Sequence, residues 1–377
     1  MIARDAHPPI AAPSFEMKLD VEQLRYLSRD DFRVLTALEQ GMKNHDVVPT
    51  ELVAAISGLR SGASKVLAHL TRQKLISHEC GAYEGYRLTY PGYDFLALRT
   101  LMLRGVLASV GRQIGVGKES DIYLGETVDG DRVALKFQRL GRTSFRAVAR
   151  TRDYARGRRA VGWLYLSRLA TAKEFAFMQA LADADFPVPT PIACNRHLLV
   201  MSVVPGRTLS LHRGMPSPAT AAAVWDSLMA TMLRLAAAGL VHCDYNEFNV
   251  LVDFPGAADG NGSDEEGGSA RAHTAVLAGV RTVEETDAAI ADGATLIQKT
   301  KSAAGVINAP AAPFVLTVID FPQMVSITHP HVRIQMPLDL LFPITACCLT
   351  SPPHHLILLL IHAHTPPLFS VLGARAV

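Results

Sequence analysis

Asp244 and Asn249 stand in a segment whose residue types suit the transfer of a phosphoryl group. They are five positions apart, and the apolar run 250–252 follows them. A carboxylate at the first position can orient or deprotonate an incoming hydroxyl, and an amide at the second can reach a Mg²⁺ ion held by phosphates. A turn rich in Asp and Asn would explain the same residues without any chemistry. The number of matched features in a row favours the catalytic interpretation.

A second candidate acid, Asp320, follows the apolar residues Val318 and Ile319 and precedes Phe321. A carboxylate at the end of an apolar strand can hold Mg²⁺ against the β- and γ-phosphates of a nucleotide. The segment says little by itself, but it follows the others in the order that a kinase requires. Asp320 is therefore a candidate for both catalysis and metal binding, with Asn249 as the second metal ligand.

Residues 114–123 have the composition of a phosphate-binding turn. Gly115 and Gly117 would let backbone N–H groups approach phosphate oxygens, because no Cβ atom stands in the way. Lys118 lies beside them and counts among the candidate nucleotide contacts, and Ser120 has a hydroxyl that could itself bond a phosphate. A plain hairpin turn remains the alternative.

Lys136 ends an apolar run on the next predicted strand, at a distance that brings it back beneath the glycine turn. A lysine there can pair with the α- and β-phosphates and with a carboxylate on a helix. Glu174, on a predicted helix, is its natural partner. The alternatives are a lysine on an edge strand facing water and a solvated helix glutamate. Because the four segments occur in the correct order, together they predict an ATP-binding phosphotransferase.

These residues need a two-lobed α+β framework to position them. Sheet-like residues come first and helical ones later, which is typical of a segregated α+β domain. Upstream of them, apolar residues at helical spacing are followed by a strand, a turn and a strand, which predicts a winged-helix-like module over 19–104. The later segments are a sheet at 110–137, helices at 163–182 and 217–238, and strands at 186–204.

Charge and cysteine content limit the classes of partner and compartment. The formal net charge is only +2, so it indicates no class of partner. From Lys136 to Lys173, however, the chain has eleven Lys or Arg residues and one acid, Asp153. This run is either a solvated flexible loop or a contact for an anionic polymer such as RNA. The five cysteines are scattered without metal-site spacing, which fits a reducing compartment.

Three segments depart from the pattern of a packed domain. Residues 1–18 are predicted to be a disordered leader, and 255–313 a disordered insertion of low complexity. The tail, 331–377, shows no clear periodicity. Neither a signal peptide nor an apolar run of about eighteen residues is present, so we expect an intracellular protein with no membrane partner.

With these residues in view, the chain resembles the RIO family of atypical serine/threonine protein kinases, and within it the second branch. The resemblance covers roughly 19–254 and 314–330. The N-terminal segment and the one around Asp320 are specific to that branch. The matching segments are 24–37, 115–123, 140–146, 165–169, 173–175, 186–189, 242–249 and 319–325.

The resemblance implies an N-terminal winged helix followed by a reduced two-lobed protein-kinase-like domain, here 105–330. It also implies ATP and Mg²⁺ as cofactors, and Ser/Thr phosphorylation or ATP hydrolysis. The expected role is late maturation of the small (40S) ribosomal subunit and processing of 18S rRNA. The expected partners are the pre-40S particle, rRNA and assembly factors. The expected location is the cytoplasm, with passage through the nucleus also compatible, and no oligomer is expected.

The resemblance also implies roles for individual residues. Ser120 and Lys136 would contact the ATP phosphates, and Glu174 would position the lysine. Met201 and Val203 would lie in the segment that lines the adenine. Asp244 would be the catalytic residue, and Asn249 and Asp320 would hold Mg²⁺. Asp320 could itself accept phosphate.

Two departures from the family pattern lead to an alternative function. The insertion separates Asn249 from Asp320 more widely than in the family, which a loop can tolerate because its closure cost grows slowly with length. The sequence of 331–377 looks unrelated to the family. We therefore expect a destabilised lower lobe and weak or absent activity. The alternative is a nucleotide-gated module that binds RNA or the pre-ribosome. A small-molecule phosphotransferase is a third reading.

Overall fold

The computed structural model describes residues 19–59, 61–80, 83–142, 162–255 and 314–326. These residues belong to two compact units, which are described separately below. The first contains 19–205 and 317–324, and the second contains 206–255, 314–316 and 325–326, within the limits of the described ranges. The predicted leader, the tail from 331 and nearly all of the predicted insertion lie outside the described residues.

The first unit begins with the predicted winged helix, and this prediction is confirmed. Its first α-helix begins after Ser28, whose side chain accepts from the Asp31 N–H while the Asp31 carboxylate accepts from the Ser28 N–H. Such a capping box satisfies two N–H groups that would otherwise lack partners. The elements are a 3₁₀ turn at Val21–Tyr26, α1 at Arg29–Gly41, α2 at Thr50–Ser57, α3 at Ala63–Arg72, and the hairpin of β1 (Ile76–Cys80) and β2 (Glu84–Leu88).

A further helix, α4 (Tyr90–Leu103), follows the hairpin and was not predicted. The Thr89 hydroxyl caps it by accepting from the Gly92 N–H, and a proline stands in its first turn. Gly92 is required there because an added Cβ would lie 2.1 Å from the Leu75 carbonyl oxygen. This close approach lets α4 pack directly on the hairpin.

An antiparallel five-stranded sheet follows in the same unit, as predicted for 110–137 and 186–204. Strand β5 is central, since β4 pairs with one edge of it and β7 with the other. The strand order is β3-β4-β5-β7-β6. The strands are β3 (Leu107–Val116), β4 (Ser120–Thr127), β5 (Arg132–Gln138), β6 (Pro191–Asn195) and β7 (Leu198–Ser202).

The two faces of this sheet have different roles. Successive side chains of a strand point to opposite faces, so Leu135 and Phe137 lie on one face and Ala134 and Lys136 on the other. The face with Leu135 and Phe137 belongs to one continuous hydrophobic core with the winged helix. From the sheet, this core contains Leu107, Tyr123, Val133, Leu135, Phe137, Leu198 and Val200. The winged helix is thus packed against the sheet rather than tethered to it.

Buried charges lie beside this shared core. Arg139 follows β5 and donates to both carboxylate oxygens of Asp94 on α4, at 2.5 and 2.8 Å. His197 donates to the same carboxylate, at 2.6 Å, and stacks on Tyr93 with ring centroids 4.5 Å apart. Burial lowers the pKa of His197, although Asp94 opposes the shift. The imidazole is therefore neutral at neutral pH.

The long helix α5 (Trp163–Asp183) completes the described part of the first unit and agrees with the predicted helix at 163–182. It packs on β5, β6 and β7. One face of α5 is buried, and its members are Leu166, Ser167, Ala170, Thr171, Glu174, Met178 and Leu181. Glu174 therefore lies among apolar residues, which excludes the alternative of a solvated glutamate.

The second unit contains the helix α6 (Pro218–Ala237), in agreement with the prediction for 217–238. Strand β9 (Leu240–Val241) pairs antiparallel with β12 (Val325–Ser326). Strand β10 (Val250–Asp253) pairs antiparallel with β8 (Arg207–Thr208), and the first residues of β11 (Val315–Val318) follow beside β10. Among the helices that the structure describes, none has the length and apolar content needed to cross a membrane.

Replacing His197 by glutamine should flatten the acid side of the stability profile. The folded protein keeps His197 neutral, whereas the unfolded chain takes up a proton near the ordinary pKa of 6.5. The contribution of His197 to stability is therefore complete above that pH and is lost below it, by at most about 1.4 kcal/mol per pH unit for one proton, until the lower pKa of the folded state is reached. Urea unfolding of both proteins at a series of pH values measures the difference. Parallel curves for the two proteins would contradict the assignment.

Candidate active site

Lys136 lies at the centre of a cluster of buried charges in the first unit. Its ammonium donates to Glu174 Oε1 at 2.6 Å and to Asp320 Oδ1 at 2.5 Å. Its side chain is only 5% exposed and that of Glu174 1%, whereas that of Asp320 is 32% exposed. Two carboxylates from distant parts of the sequence thus bind the same lysine nitrogen atom. The structure brings together the lysine, the helix carboxylate and the acid that the sequence singled out.

Glu174 accepts further hydrogen bonds that hold its carboxylate in place. Gln138 donates from Nε2 to Oε2 at 2.6 Å, and the backbone N–H of Phe321 donates to Oε1 at 3.4 Å. Gln138 was not a candidate in the sequence analysis. Its spacing of two from Lys136 on β5, which places both side chains on one face, was the signal available. A buried carboxylate with this many donors is a fixed anchor for the lysine.

The electrostatics of the cluster follow from its burial. Burial acts to lower the pKa of Lys136, but the carboxylates of Asp320 and Glu174 outweigh it and raise the pKa above that of a free lysine. Burial also raises the pKa of Glu174, and the charge of Lys136 opposes this shift. Lys136 therefore stays charged at every pH at which the protein would be studied, as a phosphate-binding lysine must.

Asp320 has a backbone conformation that aspartate adopts rarely. Its φ is +71°, in the left-handed region, where Asn and Asp are the most tolerant residues after glycine. The next residue, Phe321, is 1% exposed, and its carbonyl accepts from the Met324 N–H at 3.1 Å. The buried phenyl ring and this turn hold the chain on either side. Asp320 is thus directed to Lys136 by a strained but well-anchored backbone.

The predicted phosphate-binding turn joins β3 to β4. The Gly117 N–H donates to the Ser120 carbonyl at 2.7 Å, and both Gly117 and Lys118 are exposed. Gly115 pairs with Ile122, which in turn pairs with Lys136 across β4 and β5. The turn and the lysine are therefore on neighbouring strands of one sheet.

Gly115 is not required by the fold itself. An added Cβ there would meet only the Ile122 side chain, at an ordinary contact distance of 3.6 Å. The backbone of Gly115 is not in the left-handed region either. Neither sterics nor backbone conformation therefore explains the glycine at this position, which leaves the backbone of the turn without a side chain beside Ile122. This suits the close approach of a ligand such as a phosphate group.

The two predicted adenine contacts lie at the end of β7. Met201 pairs with Ala134, two residues along from the pair of Leu199 and Lys136. Met201 therefore lies on the same face of the sheet as Lys136 and is 8% exposed. Val203 follows the strand and is 39% exposed. An apolar surface beside Lys136 is of the kind that a purine base requires.

In the second unit, Asp244 and Asn249 lie in one compact loop. The Asn249 Nδ2 atom donates to the Asp244 carbonyl at 2.9 Å and to its Oδ2 at 3.0 Å. The Asn246 side chain donates to Asp244 Oδ1 at 2.9 Å and accepts from the Phe248 N–H at 3.0 Å. Tyr245 anchors the loop, because its buried hydroxyl donates to the Leu228 carbonyl on α6 at 3.2 Å. The predicted carboxylate and amide are thus held side by side.

The residue types suit Mg²⁺ and a nucleotide. Carboxylate and amide oxygens are the ligands that Mg²⁺ takes from proteins; Asp320 in the first unit has a carboxylate, and Asn249 in the second unit has an amide. Because the Asn249 nitrogen is directed at Asp244, its amide oxygen is the atom suited to a cation. Lys136 and the open turn at Gly115 would receive the phosphates.

Some residues of the basic run do not have the role considered for them. Arg139 is 3% exposed and paired with Asp94, so it is not a contact for an anionic polymer. Arg142 is paired with Asp121 at 2.7 Å. The sequence missed these pairings, because the acids are up to 45 positions away along the chain. The remaining arginines of the run up to Arg159 lie outside the described residues.

Comparison with known proteins gives a consistent result. The family described as Rio2, N-terminal, matches residues 24–104, and the RIO domain matches 121–256. The serine/threonine-protein kinase rio2 of Dictyostelium discoideum is 51% identical over 238 residues, which are 63% of this chain and 45% of that protein. Its counterpart in Schizosaccharomyces pombe is 47% identical over 244 residues, 64% of this chain and 70% of that protein.

A solved structure also resembles the chain. The Rio2 kinase–ADP/Mg²⁺–phosphoaspartate complex from Chaetomium thermophilum is 39% identical, with a TM-score of 0.65, over 89% of this chain and 87% of that one. The chain spans about half the length of the Dictyostelium and Caenorhabditis elegans relatives, 45% and 46%. The matches cover both the winged helix and the sheet that holds Lys136. The chain therefore belongs to the Rio2 family of RIO-domain proteins.

Proposed function

We propose that this chain is an ATP- and Mg²⁺-dependent protein serine/threonine kinase or ATPase. The observation that supports this best is the cluster in which Glu174 and Asp320 hold the ammonium of Lys136. Such an arrangement binds nucleotide phosphates in kinases. The names of the relatives as serine/threonine-protein kinases support the same activity, as does the bound ADP and Mg²⁺ of the C. thermophilum protein.

In this proposal each residue has a separate task. Lys136 binds the α- and β-phosphates, and Glu174 keeps its ammonium in position. Asp320 and Asn249 bind the metal ion, which when present supplies positive charge to the phosphate oxygens. Asp244 orients the attacking hydroxyl and accepts its proton.

Two groups could accept the transferred phosphoryl group, a hydroxyl of a protein substrate or the carboxylate of Asp320. A Ser or Thr hydroxyl of a protein substrate would attack phosphorus while the bond to the β-phosphate oxygen breaks and Asp244 takes the proton. Alternatively, an Asp320 oxygen would attack the γ-phosphorus while its bond to the β-phosphate oxygen breaks and ADP leaves, and water would then hydrolyse the aspartyl-phosphate to aspartate and inorganic phosphate. The phosphoaspartate in the C. thermophilum Rio2 complex supports the second route.

We also propose that the chain acts in late maturation of the small ribosomal subunit, including 18S rRNA processing, in the cytoplasm with passage through the nucleus. Its partners would be the pre-40S particle, rRNA and assembly factors. The resemblance to the second RIO branch supports this, together with a winged helix suited to ribonucleoprotein.

A nucleotide-gated binding module is the second candidate. The continuous core between the winged helix and the sheet favours it, because nucleotide at one face could alter RNA binding by the other element. Replacing Asp244 by asparagine separates the two candidates. An enzyme would lose turnover and keep nucleotide affinity, whereas for a pure binding module the wild type itself would show no turnover.

Replacing Asp320 by asparagine should lower Mg²⁺-dependent ATP turnover by about 100-fold or more, because several kcal/mol of charge stabilisation are lost. Asparagine tolerates the left-handed backbone, so the fold should be kept. Phosphate release by purified protein measures the effect. The matched control is Asp185→Asn, which alters an exposed aspartate with φ +55°. Equal activity of Asp320→Asn and the control would refute the assigned role.

Replacing Gly115 by alanine should weaken MgADP binding about 10-fold without loss of stability. The fold has room for the methyl group, and Gly→Ala at a tolerant position is neutral or stabilising by up to about 1 kcal/mol. The matched control is Gly111→Ala on the same strand, where an added Cβ would also find its nearest neighbour at 3.6 Å. Calorimetric binding and thermal melting measure both effects. If the two variants bind alike, no phosphate approaches Gly115.

A further inference from the structure

A chain of alternating charges runs from the winged helix to the turn at 117–120. Asp94 on α4 accepts two hydrogen bonds from the Arg139 guanidinium, one at each carboxylate oxygen. The Arg139 Nε atom donates to Asp121 Oδ2 at 2.9 Å. Arg142 then donates to both oxygens of Asp121 at 2.7 Å. The side chains of Asp94, Arg139 and Asp121 are each 4% exposed or less, so solvent screens these interactions little.

The last members of this chain hold the turn directly. The Arg142 guanidinium donates to the Gly117 carbonyl at 3.3 Å. The Arg139 backbone N–H donates to the Glu119 carbonyl at 2.5 Å. Asp121 is the residue after Ser120, the first residue of β4. The turn is therefore held at its start, middle and end by one set of ion-paired residues.

The two arginines are joined by a short hydrogen-bonded turn. Arg139 directly precedes the 3₁₀ turn Leu140–Arg142 and Arg142 ends it, and the Arg142 N–H donates to the Arg139 carbonyl at 2.9 Å. A displacement of Arg139 therefore displaces Arg142 and, through it, the Gly117 carbonyl. Since Asp94 fixes Arg139, a residue of the winged helix sets the geometry of a turn on the sheet.

We propose that Asp94, Arg139, Asp121 and Arg142 are positioning residues through which the winged helix sets nucleotide affinity at the turn 117–120. The inference rests on the proposed function of that turn. None of the four has to touch the nucleotide. By thermodynamic linkage, any ligand of the winged helix that changes nucleotide affinity at the turn would itself be bound more or less tightly, by the same factor, when nucleotide is present.

The chain offers a matched control for this proposal. Glu39 on α1 accepts from Arg196 at two points, both 2.8 Å. Arg196 lies between β6 and β7, so this pair also joins the winged helix to the sheet. It has no contact with the turn in the interactions that the structure describes. Glu39→Gln and Asp94→Asn therefore make the same chemical change at two joints, of which one leads to the turn.

The experiment compares Asp94→Asn, Arg142→Gln and Glu39→Gln in the full chain. MgADP affinity is measured by calorimetry, amide exchange of 117–120 by mass spectrometry without nucleotide, and stability by melting. Asp94→Asn and Arg142→Gln should each weaken MgADP binding about 5- to 20-fold and accelerate exchange in the turn. Glu39→Gln should lower the melting temperature and change neither the affinity nor the exchange of the turn.

The double variant gives a sharper test, because Asp94 and Arg142 have no direct contact in the described interactions. If they act through one chain, Asp94→Asn with Arg142→Gln should weaken binding less than the product of the single effects. Since Asp94→Asn leaves a buried arginine charge, it risks unfolding. Arg142 is 36% exposed in its side chain, so Arg142→Gln tests the proposal even then.

Each outcome decides something distinct. Unchanged affinity and exchange in Arg142→Gln would overturn the inference, as would equal losses in Asp94→Asn and Glu39→Gln. If the wild type fails to bind MgADP, the proposed function fails, and the exchange rates of the turn alone decide whether the winged helix positions it. Faster exchange in Asp94→Asn but not in Glu39→Gln would then still establish the positioning role.

Discussion

The alternation of side chains along β5 is the constraint on which the first unit depends. Leu135 and Phe137 complete the core shared with the winged helix, while Lys136 between them points to the opposite face. A register shift of one residue would place the lysine in the core and the apolar residues outside. The packing of the winged helix therefore fixes the register of the strand, and the register fixes the lysine. Folding and function are specified by the same residues.

The buried lysine adds a second requirement, which is a paired carboxylate for an ammonium group that is shielded from water. Removing one partner from a buried ion pair costs about 3–5 kcal/mol, since the remaining charge is left uncompensated. Glu174 is the permanent partner, as its burial and the bond from Gln138 show. Asp320 is more exposed and depends on an unfavourable backbone conformation held by Phe321. The cluster thus combines a rigid half with a half that is accessible to ligands.

The sequence predicted the helices and strands from local patterns. It predicted long-range contacts only where residue types and motif order indicated a shared chemical role. Periodicity located α5 and α6, and the alternation in 110–137 located the sheet. The pairing of Lys136 with Glu174 was predicted from the order of motifs, because no local pattern contains it, whereas the contact of Asp320 with Lys136 was not predicted. Gln138 and Asp94 were missed, since the role of each depends on a hydrogen-bond partner that is distant in the sequence. Arg139 appeared to belong to a solvated basic run because composition records the sign of a charge and not its burial.

The excess of carboxylates around Lys136 affects the form in which a nucleotide could enter. Two carboxylates share one ammonium, so the cluster has up to one unit of negative charge in excess. A bare nucleoside triphosphate is itself a polyanion, and at the proposed site Asp320 would repel its phosphates. A nucleotide that arrives as its divalent-metal complex has much of that charge neutralised. At the proposed nucleotide site, the excess of negative charge around the Lys136 ammonium would therefore favour the metal chelate over the free nucleotide.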